Sequence, residues 1–169
     1  MLNEGNDKSS KHKIGKYSII GDGVIIGDNV IIGPYCEIYD GVNIGKNTIL
    51  QGRNRIGPNC QIGENCTLKN GATLTNHTTL ENGVFLGPNS IILGDDLSRN
   101  GKNNTVIGFN TQVGAGSIIK AGKKIAPNVV IGALSFVNKD ISDDGIYVGV
   151  PIGKKPISVW NKTAFQRGK

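Results

Sequence analysis

Histidine is almost missing from this chain, which has His12 and His77 and no others, too few for a three-histidine zinc centre. Cysteine is scarce as well. Cys36, Cys60 and Cys66 lack metal-site spacing, and an intracellular chain gives no reason to expect disulfides. No apolar run is long enough to span a membrane and no apolar signal opens the chain, so a soluble, cytoplasmic protein is the expectation. Proline stops at 6 residues while glycine reaches 25 without a collagen triplet, which points to recurring turns. The 169 residues leave room for one domain. Net charge is +6, but between Tyr17 and Gly153 there are 10 basic and 11 acidic residues. The excess sits at the ends, in Lys8, Lys11, Lys13 and Lys16 and in Lys154, Lys155, Lys162, Arg167 and Lys169. Without interleaved aromatics these read as solvated tails, not as a nucleic-acid surface.

What the chain does have is a ladder. An isoleucine or leucine falls at every sixth position from Ile14 to Ile92, fourteen rungs without a slip, and the ladder resumes as Ile107, Val113, Ile119, Ile125, Ile131 and Val137. A strict period of six is the signature of a parallel β-helix. Each hexad reads rung, glycine, two turn residues, small residue, outward residue, as in Ile26-Gly27-Asp28-Asn29-Val30-Ile31. Strand alternation sends the small residue and the next rung to one side and the residue between them to the other. The third residue after the rung is Asn or Gly in nine of the first thirteen hexads, which favours positive φ and a corner. Three corners close a coil of about 18 residues, so the rungs predict a triangular prism of six to seven coils, roughly 30 Å tall at ~4.8 Å per coil. The handedness does not follow, because parallel crossovers are right-handed in about 98% of cases. The expected layout is a polar lead-in over 1–13, the β-helix over 14–141, and a capping segment with a basic tail over 142–169. In that segment Ile146, Val148, Val150, Ile157, Val159 and Trp160 are apolar enough to cover the open end.

All three cysteines fall four residues after a rung, at positions shared with Ser18, Val24, Val30, Val42, Ala72 and Val84, and so read as buried filler. Outward residues eighteen apart form columns. Ile31, Ile49, Thr67 and Phe85 make an apolar one, which suggests a subunit interface. The columns Ile19, Glu37, Arg55, Thr73, Ile91 and Ile25, Asn43, Gln61, Thr79 are more polar.

Ile107 follows Ile92 by a step of fifteen residues where six would serve, so about nine leave the prism as a loop at about 93–106. A polar loop on a rigid scaffold is where binding groups concentrate. Eighteen residues before Asp95 lies His77, so coil stacking sets His77 under the loop root and Asn76 under Gly94. His77 also stands where Asn or Gly is usual, and a bland exposed corner is the competing reading. Tyr17, Tyr35 and Arg53 break the same corner rule without a catalytic look, and His12 belongs to the lead-in.

Repeats such as Ile20-Gly21-Asp22-Gly23-Val24 resemble the hexapeptide motif of the left-handed β-helix acyltransferases over most of Ile14–Asp140. The resemblance implies left-handed winding, a homotrimer, and acyl-CoA bound between adjacent prisms. Two segments narrow it. Val84-Phe85-Leu86-Gly87-Pro88 with Asp95 and Arg99, and Gly132-Ala133-Leu134-Ser135-Phe136-Val137 with Gly149-Val150-Pro151, resemble nucleotide-sugar N-acetyltransferases that serve bacterial surface glycans such as lipopolysaccharide.

That resemblance implies transfer of acetyl from acetyl-CoA to a sugar amine, with no metal. The amine must lose a proton before it can attack, a task for His77 or for the Asp95 carboxylate. Asn76 and Phe85 are placed with the sugar nucleotide, and Arg99 and Lys102 with its phosphates. Gly114, Ala115, Gly132 and Ala133 leave room for a pantetheine arm, and Lys120, Lys124 and Lys139 are candidates for the CoA phosphates. Members of the family usually carry asparagine where this chain has Gly94, and glycine where it has His77. The site is therefore rebuilt around His77, or takes another substrate, or has lost catalysis. An O-acetyltransferase of the same fold and a non-catalytic scaffold stay open beside the leading reading. The zinc-dependent carbonic anhydrases of this prism would need three histidines per site, more than the chain has.

Overall fold

The structure is a computed structural model describing residues 12–94 and 104–155. Asp95, Arg99 and Lys102, with Ile157, Val159 and Trp160, lie outside the described residues. Every rung closes a short strand, from Lys13–Ile14 through Ile91–Ile92 and again from Val106–Ile107 to Phe136–Val137. Strands pair in parallel with every third neighbour along the chain, giving sheets of nine, seven and six strands. The register advances by 18 residues per coil, as in Ile31↔Ile49 and Ile19↔Glu37. The fold is a left-handed parallel β-helix of about seven turns.

The three faces and corners locate everything that follows. The first face runs from Lys13–Ile14 through Phe85–Leu86 to Gly145–Val148, the second from Ile19–Ile20 through Ile91–Ile92 to Phe136–Val137, and the third from Ile25–Ile26 to Lys124–Ile125. The first corner joins the first and second faces, at residues such as Pro34 and Tyr35. The second joins the second and third faces and carries His77. The third closes the coil.

Inside the prism the rungs from Ile32 upward are buried, whereas Ile14, in the first described coil, is 46% exposed. The small positions alternate aliphatic filler with hydroxyls that stitch coils together. Thr48 Oγ1 donates to Gly63 O (2.9 Å) and accepts from Cys66 N–H (3.0 Å), and Ser117 repeats the pattern with Gly132 and Ser135. Asn54 stands in this row fully enclosed, its amide donating to Lys69 O (2.8 Å) and Ala72 O (3.2 Å). Each buried polar group among the described residues is thus satisfied, as a dry core requires. At the third corner the asparagine amides form a ladder, Asn29 to Asn47 (3.2 Å) and Asn47 to Asn65 (3.3 Å), at φ near 59°.

The cysteines are buried filler. Burial pushes the Cys36 and Cys66 thiols up from their ordinary value, because the thiolate is the form that loses hydration. A raised thiol stabilises the fold fully below the unfolded thiol range, near pH ~8.5, and that contribution fades as pH rises through the folded value. The denaturation midpoint should therefore fall between pH 7 and pH 10, and a thiol-specific disulfide reagent should react fully only once denaturant unfolds the chain. Rapid labelling of the native protein would contradict this.

Across the loop the register is Thr79↔Val106 and Leu80↔Ile107, a step of 27 residues. The excursion is therefore nine residues beyond one coil. Its two ends are clasped: Thr105 Oγ1 donates to Leu93 O (2.5 Å) and accepts from Gly122 N–H (2.9 Å). Following the register past the loop alters one sequence expectation. The second face continues Ile91, Ile118, Phe136, so its upper half is apolar although its lower half is not.

At the carboxyl end Gly145–Val148 extends the first face, and Gly153–Lys155 turns back antiparallel to it. Ile146, Tyr147 and Ile152 are buried there. Val150 was expected to help cover the end and instead is 72% exposed, because it lies in the turn between these strands.

Candidate active site

The second corner is where the chain leaves the prism, and it is built from threonines and backbone. Thr75 Oγ1 accepts the Gly94 N–H (2.6 Å), Thr78 Oγ1 donates to Thr75 O (2.8 Å), and Thr105 holds the returning strand. Gly94 is packed directly on the coil below. A Cβ placed there would lie 1.7 Å from Asn76 O and 2.7 Å from Thr78 Oγ1. The expected stacking of Gly94 over Asn76 is thus a tight backbone contact. It also explains the departure at this position, since no side chain fits.

His77 is exposed at this corner, at φ 54°, with its N–H donated to Pro58 O (3.0 Å). The coil below presents Asn59 and those beneath it Gly41 and Gly23, so the imidazole projects above a column with small side chains. Lys120 and Lys139 are exposed at the same corner in the following coils.

The other candidates lie elsewhere on the prism. Gly114, Ala115, Gly132 and Ala133 occupy the first corner, where a Cβ on Gly114 would meet Ala133 N at 2.4 Å, leaving a smooth backbone surface. Lys124 points out from the third face, and Phe85 from the first face, which is opposite the second corner; the Lys69 ammonium lies 5.7 Å from the Phe85 ring centroid. Within one chain, His77 and Asn76 share a corner with Lys120 and Lys139, while the small residues flank the far edge of the second face. The threonine clasp was not foreseen. Thr105 borders the ladder's break, but Thr75 and Thr78 lie one coil earlier in the sequence, so only the fold brings the three together.

A family model described as bacterial transferase hexapeptide (six repeats) matches residues 13–40 and 41–76. The matched residues are a run of hexapeptide repeats. Among curated proteins it is 26% identical over 145 residues to the bifunctional protein GlmU of Synechococcus sp. (strain CC9605), covering 86% of this chain and 30% of that protein. It is 34% identical over 96 residues to the galactoside O-acetyltransferase of Lactococcus lactis subsp. lactis (strain IL1403), covering 51% and 46%. The hexapeptide-repeat chain thus spans less than half the length of these relatives. Among solved structures it is similar to PerB from Caulobacter crescentus in complex with CoA and GDP-perosamine (TM-score 0.64, 20% identity, 87% of this chain and 58% of that one). It is also similar to the acetyltransferase domain of PglB from Neisseria gonorrhoeae FA1090 in complex with acetyl coenzyme A (TM-score 0.63, 16% identity, 86% and 58%). At these identities the likeness is one of fold. Among the described residues no His, Cys, Asp and Glu side chains gather as a metal site, and no helix is long and apolar enough to cross a membrane.

Proposed function

We propose that this hexapeptide-repeat chain is an acyltransferase that moves acetyl from acetyl-CoA to an amino group of a nucleotide-linked sugar, in the cytoplasm, for surface-glycan synthesis. The observation that carries the proposal is the coincidence, at the second corner, of the loop excursion with an exposed histidine. His77 takes the proton that the attacking amine must lose, and Asp95, next along that corner in sequence, accepts from the same amine. Asn76 contacts the acceptor beside it. Arg99 and Lys102 from the loop hold its phosphates, and Phe85 packs against it from a neighbouring copy. The thioester supplies an activated acyl group; backbone N–H groups facing its carbonyl stabilise the charge that develops there.

The positions proposed for the donor support a shared site. The small residues Gly114, Ala115, Gly132 and Ala133 and the lysines Lys120, Lys124 and Lys139 lie on opposite sides of the second face, so one chain alone cannot wrap a pantetheine arm with both. In a homotrimer the first corner of one copy meets the second corner of the next, and the halves come together. The apolar upper half of the second face, Ile91, Ile118 and Phe136, supports such packing.

One observation favours a second reading. Gly94 has no room for the asparagine associated with amine acceptors, and the matched galactoside enzyme is an O-acetyltransferase, so a sugar hydroxyl is the alternative acceptor. Thiol release from acetyl-CoA with a panel of nucleotide amino sugars and simple glycosides separates the two. Turnover confined to amino sugars is expected. Turnover confined to glycosides establishes the hydroxyl acceptor, and no turnover together with no heat of CoA binding in calorimetry would end the enzyme reading.

A further inference from the structure

Corners of this prism demand positive φ, and asparagine or glycine fills most of them. Among the described residues the exceptions, apart from His77, are Tyr17, Tyr35, Arg53 and Leu134, and all four stand on the first corner. Tyrosine at φ near 60° is held against its own backbone preference. Tyr17 and Tyr35 stack with centroids 5.2 Å apart and an interplanar angle of 20°, and Tyr17 remains 72% exposed. Together they form a rigid aromatic knob at the prism's edge, with the exposed Arg53 guanidinium on the coil above.

The second corner at the same height is its counterpart. Its corner residues are Gly23 and Gly41, and a Cβ on Gly23 would meet nothing within 4 Å. Beside them stand the exposed carboxylates of Asp22 and Asp40. Next to this bare edge lies a recess of about 220 Å³ lined by Ile19, Gly21, Glu37, Ile38, Tyr39 and Asp40, apolar within and acidic at the rim. Knob and recess flank the same face at the same coils with opposite shape; Glu37 at the rim is paired with Arg55 (3.6 Å), so Asp22 and Asp40 set the rim's charge, opposite to that of Arg53 beside the knob.

We infer that the Tyr17–Tyr35 knob of one copy docks into the Ile19–Gly21–Asp40 recess of a second copy. Tyrosine suits this role, since it brings a large apolar ring with little rotamer freedom and a hydroxyl for the acidic rim. Arg53 meets Asp40 across the contact. Unlike surfaces dock, so the contact is heterologous, and in the proposed homotrimer three such contacts close a ring, which a two-fold pair cannot do. It deepens the assembly part of the acyltransferase reading and rests on it. The docked corners are those that carry the separated halves of the proposed site, so an interaction in the early coils sets the alignment of His77 against the neighbour's Gly114 and Gly132.

Sedimentation velocity without substrate tests the contact apart from any activity. The double variant Tyr17→Asn/Tyr35→Asn suits the corner backbone, so its thermal melt should stay cooperative while the sedimenting species drops to a monomer. Arg53→Asp should also dissociate the protein, and Arg53→Asp combined with Asp40→Arg should restore the oligomer. An asparagine double variant that stays assembled would overturn the tyrosine contact and leave assembly standing. A monomeric wild type would overturn both, and a swapped pair that fails to reassemble would overturn the Arg53–Asp40 pairing.

Discussion

Gly94→Asn, which installs the residue the family resemblance would place there, should damage the protein instead of improving it. The new Cβ would sit 1.7 Å from Asn76 O and 2.8 Å from Asn76 C, and both atoms are backbone in a hydrogen-bonded coil. Neither can rotate away. The loop root must therefore lift by more than an ångström, breaking the bond from Gly94 N–H to Thr75 Oγ1. Overpacking of this kind costs about 1–3 kcal/mol, which for a chain of this size lowers the melting temperature by roughly 2–12 °C at ~2–4 °C per kcal/mol. Misplacing the loop by an ångström should cost about 100-fold in turnover as well. A circular-dichroism melt and the thiol-release assay read the two effects. An unchanged melt with higher turnover would mean that the root yields and that the amine site merely lacked its asparagine.

His77→Asn should separate chemistry from structure more cleanly. The backbone at His77 has φ 54°, within the range of the asparagines at the other corners, so the substitution keeps the corner intact. Alanine would be a poorer probe, since it tolerates that φ less well and would confuse strain with lost chemistry. Removing a general base lowers kcat by about 10²–10⁴-fold, and the melting temperature should hold. Full turnover in the variant would leave the fold and family intact and remove His77 from the mechanism. It would shift attention to Asp95.

The contrast between these sites shows what the sequence could carry. The prism was readable because its cause is local: one apolar residue in six, a small residue two before it, and Asn or Gly at the bend. The loop was readable as the place where that rule fails, and its excess of nine residues agrees with the 27-residue step from Thr79 to Val106. The alignment beyond it was less plain, because the insertion changes the stride. The column through Ile19, Glu37, Arg55 and Thr73 therefore looked polar until Ile118 and Phe136 joined it. Asn54 was equally hidden, since its burial depends on Lys69 O and Ala72 O from later coils. The candidate site was only half legible. Counting by eighteen sets Asn76 under Gly94, but it says nothing of which corner faces a neighbour. Phe85, Gly114 and Lys120 could look like one site in sequence and still stand on different sides of a prism.

The clasp of Thr105 on Leu93 and Gly122 has a bearing on how such a protein can change over generations. Departing and returning strands are tied to each other and to the coils above and below, so the scaffold does not depend on what lies between them. Closing a longer loop costs only about 0.6 kcal/mol for each doubling of its length. A change in the length or sequence of that segment should therefore leave the repeats that give the molecule its rigidity almost unaffected. The threonine clasp is the joint that lets the loop change in length without disturbing the coils on either side of it.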